Sequence, residues 1–193
     1  MQNKIRELHK EHQSVFVLLE KSFPQIEKIL EILYLTIKKN NKIMFCGNGG
    51  SAADSQHLAA EFIGRFEKER RSLPAVSLTT DTSILTSVGN DYSFNEIFSR
   101  QVEGLGNSGD ALVCISTSGN SQNLEKVINT ANEMNISTIG LLGKGGGVVK
   151  DKLDYSIVID SNSTARIQEA HIFIGHVFCS LLDELIISEN HTI

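Results

Sequence analysis

The chain predicts an α/β fold, a three-layer αβα sandwich around a parallel sheet. Three observations carry that prediction. Short β-branched runs alternate with amphipathic stretches from about residue 42 to residue 188. The runs are apolar almost without interruption, as strands covered on both faces must be. Two of the runs end in turns crowded with glycine or hydroxyl groups, at the strand ends where open parallel sheets hold their ligands.

The elements follow in order. Residues 3–22 and 24–39 carry leucine, isoleucine and valine at three- and four-residue spacing, with Phe23-Pro24 between them. They read as an N-terminal helical hairpin over residues 1–40, meeting at a proline turn. Strands are expected at Lys42 to Cys46, Ala75 to Leu78, Ala111 to Ile115, Ile136 to Leu141 and Tyr155 to Asp160. Helices are expected from Ala52 to about Lys68, from Tyr92, from Gln122, and from Thr164 to Ser188. The last is apolar on more than one face, which marks a buried helix and, beside the N-terminal pair, a subunit interface. At 193 residues a single core is the default, so residues 1–193 read as one domain, with 41–193 as the αβα core.

Eighteen basic residues against 23 acidic ones give a net charge of −5, and no basic block is longer than the mixed run 67–71. Nucleic acid and anionic membrane are therefore poor partners. No stretch approaches a membrane-spanning length free of charge, and residues 1–10 are charged without an apolar segment. Cys46, Cys114 and Cys179 are too scattered for a metal cluster or a disulfide framework, which fits a reducing cytoplasm.

The chemistry gathers at two turns. Ser116-Thr117-Ser118-Gly119-Asn120-Ser121 joins a strand to a helix. The first N–H groups of that helix lack partners, its dipole is positive there, and the hydroxyls add neutral donors, so the turn suits a phosphate. A helix cap alone needs one such residue, and this turn supplies five hydroxyl or amide side chains. Gly47-Asn48-Gly49-Gly50-Ser51 is a second turn of the same kind. It leads into His57 and Glu61, four residues apart on one helical face, so ionisable groups stand beside the ligand. Gln168 and His176, eight apart, share a side of the last helix, where a histidine among apolar residues is more often structural; His171 lies off that line. Asn90-Asp91 after Gly89 reads by itself as a turn with an Asx cap.

Taken together, CGNGGSAADSQHLAAEFIGRF (Cys46 to Phe66), GNDYSF (Gly89 to Phe94), STSGNSQN (Ser116 to Asn123) and the pair Gln168 and His176 resemble the phosphoheptose isomerases of the sugar isomerase (SIS) superfamily. The resemblance covers essentially the whole chain. It implies a flavodoxin-like SIS fold and the interconversion of sedoheptulose 7-phosphate and D-glycero-D-manno-heptose 7-phosphate, a step toward surface-polysaccharide heptose. It also implies a phosphate turn of Ser116, Thr117, Ser118 and Ser121. Asn48, Gly49, Gly50 and Ser51 would line the sugar, with Asn90, Asp91 and Arg65 close to it. Isomerisation through a cis-enediol needs a base and an acid; Glu61 is the base and His176 the acid that the resemblance suggests. It further implies one Zn2+ per subunit on His57, Glu61, Gln168 and His176, and a homotetramer with sites at subunit boundaries. The alternative is a non-catalytic SIS protein that binds a replication initiator or a phosphosugar. Such a protein has no need of Glu61 and His176.

Overall fold

A computed structural model describes residues 1–190 of the chain. Five strands, β1 (Ile43–Gly47), β2 (Ala75–Ser77), β3 (Ala111–Ser116), β4 (Ser137–Gly143) and β5 (Tyr155–Ile159), pair in parallel in the order β2-β1-β3-β4-β5. The chain leaves β1 for β2 on one side and crosses back to β3 on the other. That reversal is a topological switch point, and the turns after β1 and β3 diverge there to leave a crevice. Register sets Gly47 against Ile115, so the two turns leave the sheet side by side.

Alternate strand residues feed two cores. Ile43, Phe45, Val113 and Leu141 point toward α1 (Gln2–Leu19), α2 (Phe23–Lys38), α3 (Gly50–Ile63) and α7 (Thr164–Asn190). Met44, Cys46, Leu112 and Cys114 point toward α5 (Ser99–Leu105) and α6 (Gln122–Glu133). The expected three layers are present, and the three cysteines are free and buried.

The N-terminal pair forms a long helical region and not the hairpin that the sequence predicts, since α1 and α2 pack on α7 more than on each other. Glu20–Ser22 form a 3-10 turn, so the chain stays helical through the junction, and Pro24 lies inside the first turn of α2. A proline costs nothing there, because that N–H has no intrahelical partner. Both helices lie against α7.

Three other boundaries move. The helix expected to reach Lys68 stops at Ile63, with Gly64 as its cap. The helical stretch expected from Tyr92 is split into a 3-10 turn, Phe94–Glu96, and α5. It is preceded by a helix that the sequence reading does not predict, α4 (Thr82–Asp91), started by Asp81, whose side chain accepts from Ile84 N at 2.9 Å; Tyr92 ends it. Asn90-Asp91 is therefore the last turn of one helix, ahead of the helical segments that follow, and not an Asx cap. After β4, Lys144–Lys152 form 3-10 turns interrupted by three glycines at positive φ. Finally, α7 is long and apolar enough to cross a membrane by length and composition, although Glu169, Asp183 and Glu184 keep it from being a charge-free span. Half of its apolar window is packed inside the protein, where it supplies Ile167, Ile174, Phe178 and Leu182 to the core.

Candidate functional site

The two polar turns meet where the sequence expectation put them. Asn48, Ser51, Ser116, Thr117, Ser118 and Ser121 line one cavity of about 90 Å³ at the switch point. Its walls are held from behind. Asn48 and Asn123 exchange side-chain amide hydrogen bonds, both 2.9 Å, tying the β1 turn to the start of α6. Ser116 Oγ accepts from Gly119 N at 2.9 Å, and Ser118 Oγ accepts from Asn120 N at 3.3 Å. Ser121 is the N-cap residue of α6, yet its side chain makes no capping bond. Its hydroxyl is thus not consumed by the helix, and the positive end of α6 faces the cavity.

From this cradle α3 leads to the ionisable groups. Two glycines let α7 come close enough to share the face. A Cβ on Gly50 would lie 2.4 Å from the Gln168 amide nitrogen, and a Cβ on Gly175 would lie 2.5 Å from Leu58 Cδ2. With no side chain at either position, Gln168 packs on the start of α3, and His176 reaches His57, their Nε2 atoms 2.8 Å apart. Glu61 Oε1 stands 3.8 Å from His57 Nε2. Phe66 stacks on the His176 ring at 5.2 Å between centroids.

Burial tunes this face. It is the largest influence on His176, pushing its pKa below the ordinary histidine value; the neighbouring His57 acts in the same direction, against Glu61 and Asp54. Asp54, one turn before His57 and almost fully buried, has its carboxyl pushed up by desolvation, against the Gln168 amide and the two imidazoles. One of its oxygens has no hydrogen-bond partner.

Among the described residues no three His, Cys, Asp or Glu side chains close on one point as a ready metal cage. The structure does bring together an imidazole pair with Glu61 beside it and Gln168 on the same helix face as His176. Ring nitrogens this close share one hydrogen between them or turn both lone pairs on a cation. Nitrogen and carboxylate donors in this combination suit zinc, so the residues present fit that ion.

Other expected residues stand apart. Arg65 is exposed just beyond α3, 3.6 Å from Glu69 Oε2. Asn90 and Asp91 are exposed at the end of α4, and Asn90 Nδ2 donates to Asp91 Oδ1 at 2.8 Å. That end of α4 is anchored near the cradle, because Asn95 Nδ2 donates to Gln122 Oε1 at the start of α6. Sequence reasoning passed over Asp54, Asn123 and Phe66. Asp54 was findable, since its three-residue spacing from His57 puts it on the same helical face.

The comparisons give the family and the fold. The SIS domain family matches residues 9–143, which sets the class of the protein. The phosphoheptose isomerase of Nitratiruptor sp. is 60% identical over 148 residues, covering 77% of this chain and 79% of the relative. Phosphoheptose isomerase 1 of Campylobacter jejuni is 50% identical over 184 residues, covering 95% and 99%. The solved phosphoheptose isomerase GmhA from Neisseria gonorrhoeae superposes with a TM-score of 0.90 at 41% identity, covering 95% of this chain and 98% of its own. The chain belongs to the phosphoheptose isomerase family.

Proposed function

We propose that this aldose–ketose isomerase converts sedoheptulose 7-phosphate to D-glycero-D-manno-heptose 7-phosphate, the first step toward an ADP- or GDP-heptose for surface polysaccharide. One observation carries the reading. A neutral anion cradle formed by the turns after β1 and β3 opens onto α3, and the acid–base face lies farther along that helix, with His57 about 9 Å and Glu61 about 15 Å along its axis from Ser51, the α3 residue that lines the cradle. A sugar with phosphate at one end and carbonyl at the other suits two such regions side by side. The cradle holds the phosphate through the Ser116, Thr117, Ser118 and Ser121 hydroxyls and the start of α6, while Asn48, Gly49, Gly50 and Ser51 contact the sugar.

Glu61 removes a proton from carbon 1, and His176 delivers one to the oxygen on carbon 2, giving the cis-enediol. Loss of the carbon-1 hydroxyl proton and return of a proton to carbon 2 then complete the aldose. Burial pushes the His176 pKa down, which favours the neutral imidazole, whose ring N–H can donate. Asn90, Asp91 and Arg65 contribute from the rim. His57, Glu61, Gln168 and His176 would hold one zinc ion per subunit. A bound zinc would supply Lewis acidity at the substrate oxygens.

The reading includes a cytoplasmic homotetramer, with no nucleic-acid or membrane partner. It is supported by the apolar side chains of α1 that face solvent, Ile5, Leu8 and Val17, and by Phe173 on α7. The test is an NMR time course of the protein with sedoheptulose 7-phosphate, untreated, chelated, and chelated then resupplied with zinc. New heptose 7-phosphate signals, lost on chelation and restored by zinc, are expected. No conversion in any arm would refute the isomerase reading, and conversion unaffected by chelation would refute the role given to zinc.

A further inference from the structure

A buried ion pair lies behind the acid–base face and touches none of its reacting groups. Arg70 Nε donates to Asp183 Oδ1 at 2.7 Å, and both side chains are 1% exposed. The rest of the guanidinium is spent on backbone. Nη2 donates to Glu61 O at 2.8 Å, and Nη1 donates to Phe62 O, Gly64 O and Arg71 O at 2.9, 2.9 and 3.1 Å. The other oxygen of Asp183 accepts from the amides of Glu67 and Lys68, each at 3.2 Å.

One guanidinium thus takes the place of the helical turn that α3 does not make after Ile63. A cation at the carboxyl end of a helix is favourable, and only arginine has the forked donors to reach several carbonyls at once. The segment from Gly64 to Arg71 wraps around this pair. Three site residues hang from the wrap: Glu61 through its own carbonyl, Arg65, and Phe66 with its ring against His176. Asp183 lies seven residues after His176, so it anchors the same side of α7. The pair therefore joins the end of α3 to α7 where Glu61 and His176 face one another.

We infer that Arg70 and Asp183 are positioning residues that set the turnover rate by fixing Glu61 and Phe66 against His176. The inference rests on the isomerase reading for its kinetic consequence, but not for its geometric one. Two substitutions probe it. Arg70→Lys keeps the charge beside Asp183 and loses the fork. Asp183→Asn keeps the shape and offers one fewer acceptor to the Glu67 and Lys68 amides.

Each folded variant is measured well below its melting temperature for kcat and KM on sedoheptulose 7-phosphate. Affinity for the carbonyl-free heptitol 7-phosphate and the His176 imidazole signals in NMR are measured beside them. Expected are a kcat lower by about 10- to 100-fold, as displacement of a catalytic group by about 1 Å produces, heptitol phosphate affinity within about twofold of the parent by the same reasoning, and His176 ring signals shifted as Phe66 leaves the stack. A lower melting temperature with unchanged kcat and unchanged His176 signals would make the pair merely structural and overturn the inference. So would loss of heptitol phosphate affinity in step with kcat.

If the parent protein lacks isomerase activity, the isomerase reading fails, and the His176 signals alone decide the inference. If neither variant folds, Phe66→Leu leaves the ion pair intact. It should still shift the His176 signals and lower kcat, and no change in either would overturn the role of the wrap.

Discussion

At the ends of β1 and β3 the site consists of neutral groups already hydrogen-bonded into place. Farther along α3 it consists of ionisable groups that are only partly satisfied. The hydroxyls of Ser116 and Ser118 and the amides of Asn48 and Asn123 accept or exchange bonds within the cradle. By contrast, Asp54 keeps an unpartnered buried oxygen, and His57 and His176 face each other without a clear donor and acceptor. The difference follows the two tasks. A phosphate keeps its charge throughout the reaction, so its holder is best preformed and uncharged. Proton transfer needs groups whose charge can change, and those groups stay unsatisfied until substrate or metal completes them.

If that division is right, damage to each half should leave a different kinetic signature. Glu61→Gln should give the largest effect, a fall in kcat of about 10²- to 10⁴-fold, as removal of a general base does. Binding of heptitol 7-phosphate, followed by calorimetry, should be nearly unchanged, and equal activity would remove Glu61 from the base role. Ser116→Ala with Ser121→Ala should come next and act in the opposite sense. Loss of two hydrogen bonds to a charged group should raise KM by roughly 100-fold or more, since each contributes about 1.5–3 kcal/mol. A raised KM with little change in kcat would sharpen the division, whereas a fall in kcat at constant affinity would break it.

Gly175→Ala probes the junction of the halves. Its new methyl meets Leu58, so α7 must retreat from α3. Overpacking of this kind costs about 1–3 kcal/mol, readable as a lower melting midpoint. Activity should fall further than stability accounts for, because His176 moves from His57.

The smallest effect comes from His171, fully buried on α7, where desolvation pushes its pKa down to about 4. The unfolded chain holds this histidine near its ordinary value, so between about pH 6.5 and pH 4 the unfolded state binds the extra proton. Stability contributed by neutral His171 is therefore full above that window and lost as pH falls through it, by an amount of order 1 kcal/mol at pH 5.5. Denaturant midpoints against pH should show that slope, and His171→Leu should flatten it.

Much of this was legible in the sequence because it depends on local pattern. The five strands announced themselves by apolar β-branched runs, and the cradle by its density of hydroxyls directly after a strand. Where reasoning failed, the deciding contact was distant in the chain. The end of α3 is only half legible in residues 60–68, where Gly64 is a stop signal, because Arg70 and Asp183 share in ending it and Asp183 lies more than a hundred residues away. The meeting of His57 with His176 likewise depends on Gly50 and Gly175, whose meaning appears only when α7 packs on α3. The start of α4 is a different kind of miss. Asp81 before Thr82-Ser83-Ile84 is an ordinary N-cap signal, overlooked because Gly89-Asn90 looked like a turn.

The most direct test of the account is the fate of the transferred hydrogen. In deuterated water, sedoheptulose 7-phosphate should yield heptose 7-phosphate with one deuteron at carbon 2, because the proton taken by Glu61 exchanges with solvent. Internal return of the proton by Glu61 can lower that incorporation in a single turnover. Substrate and product kept at equilibrium through many turnovers with no deuterium at carbon 1 or carbon 2 would contradict the enediol route and the pairing of Glu61 with His176 on which the account rests.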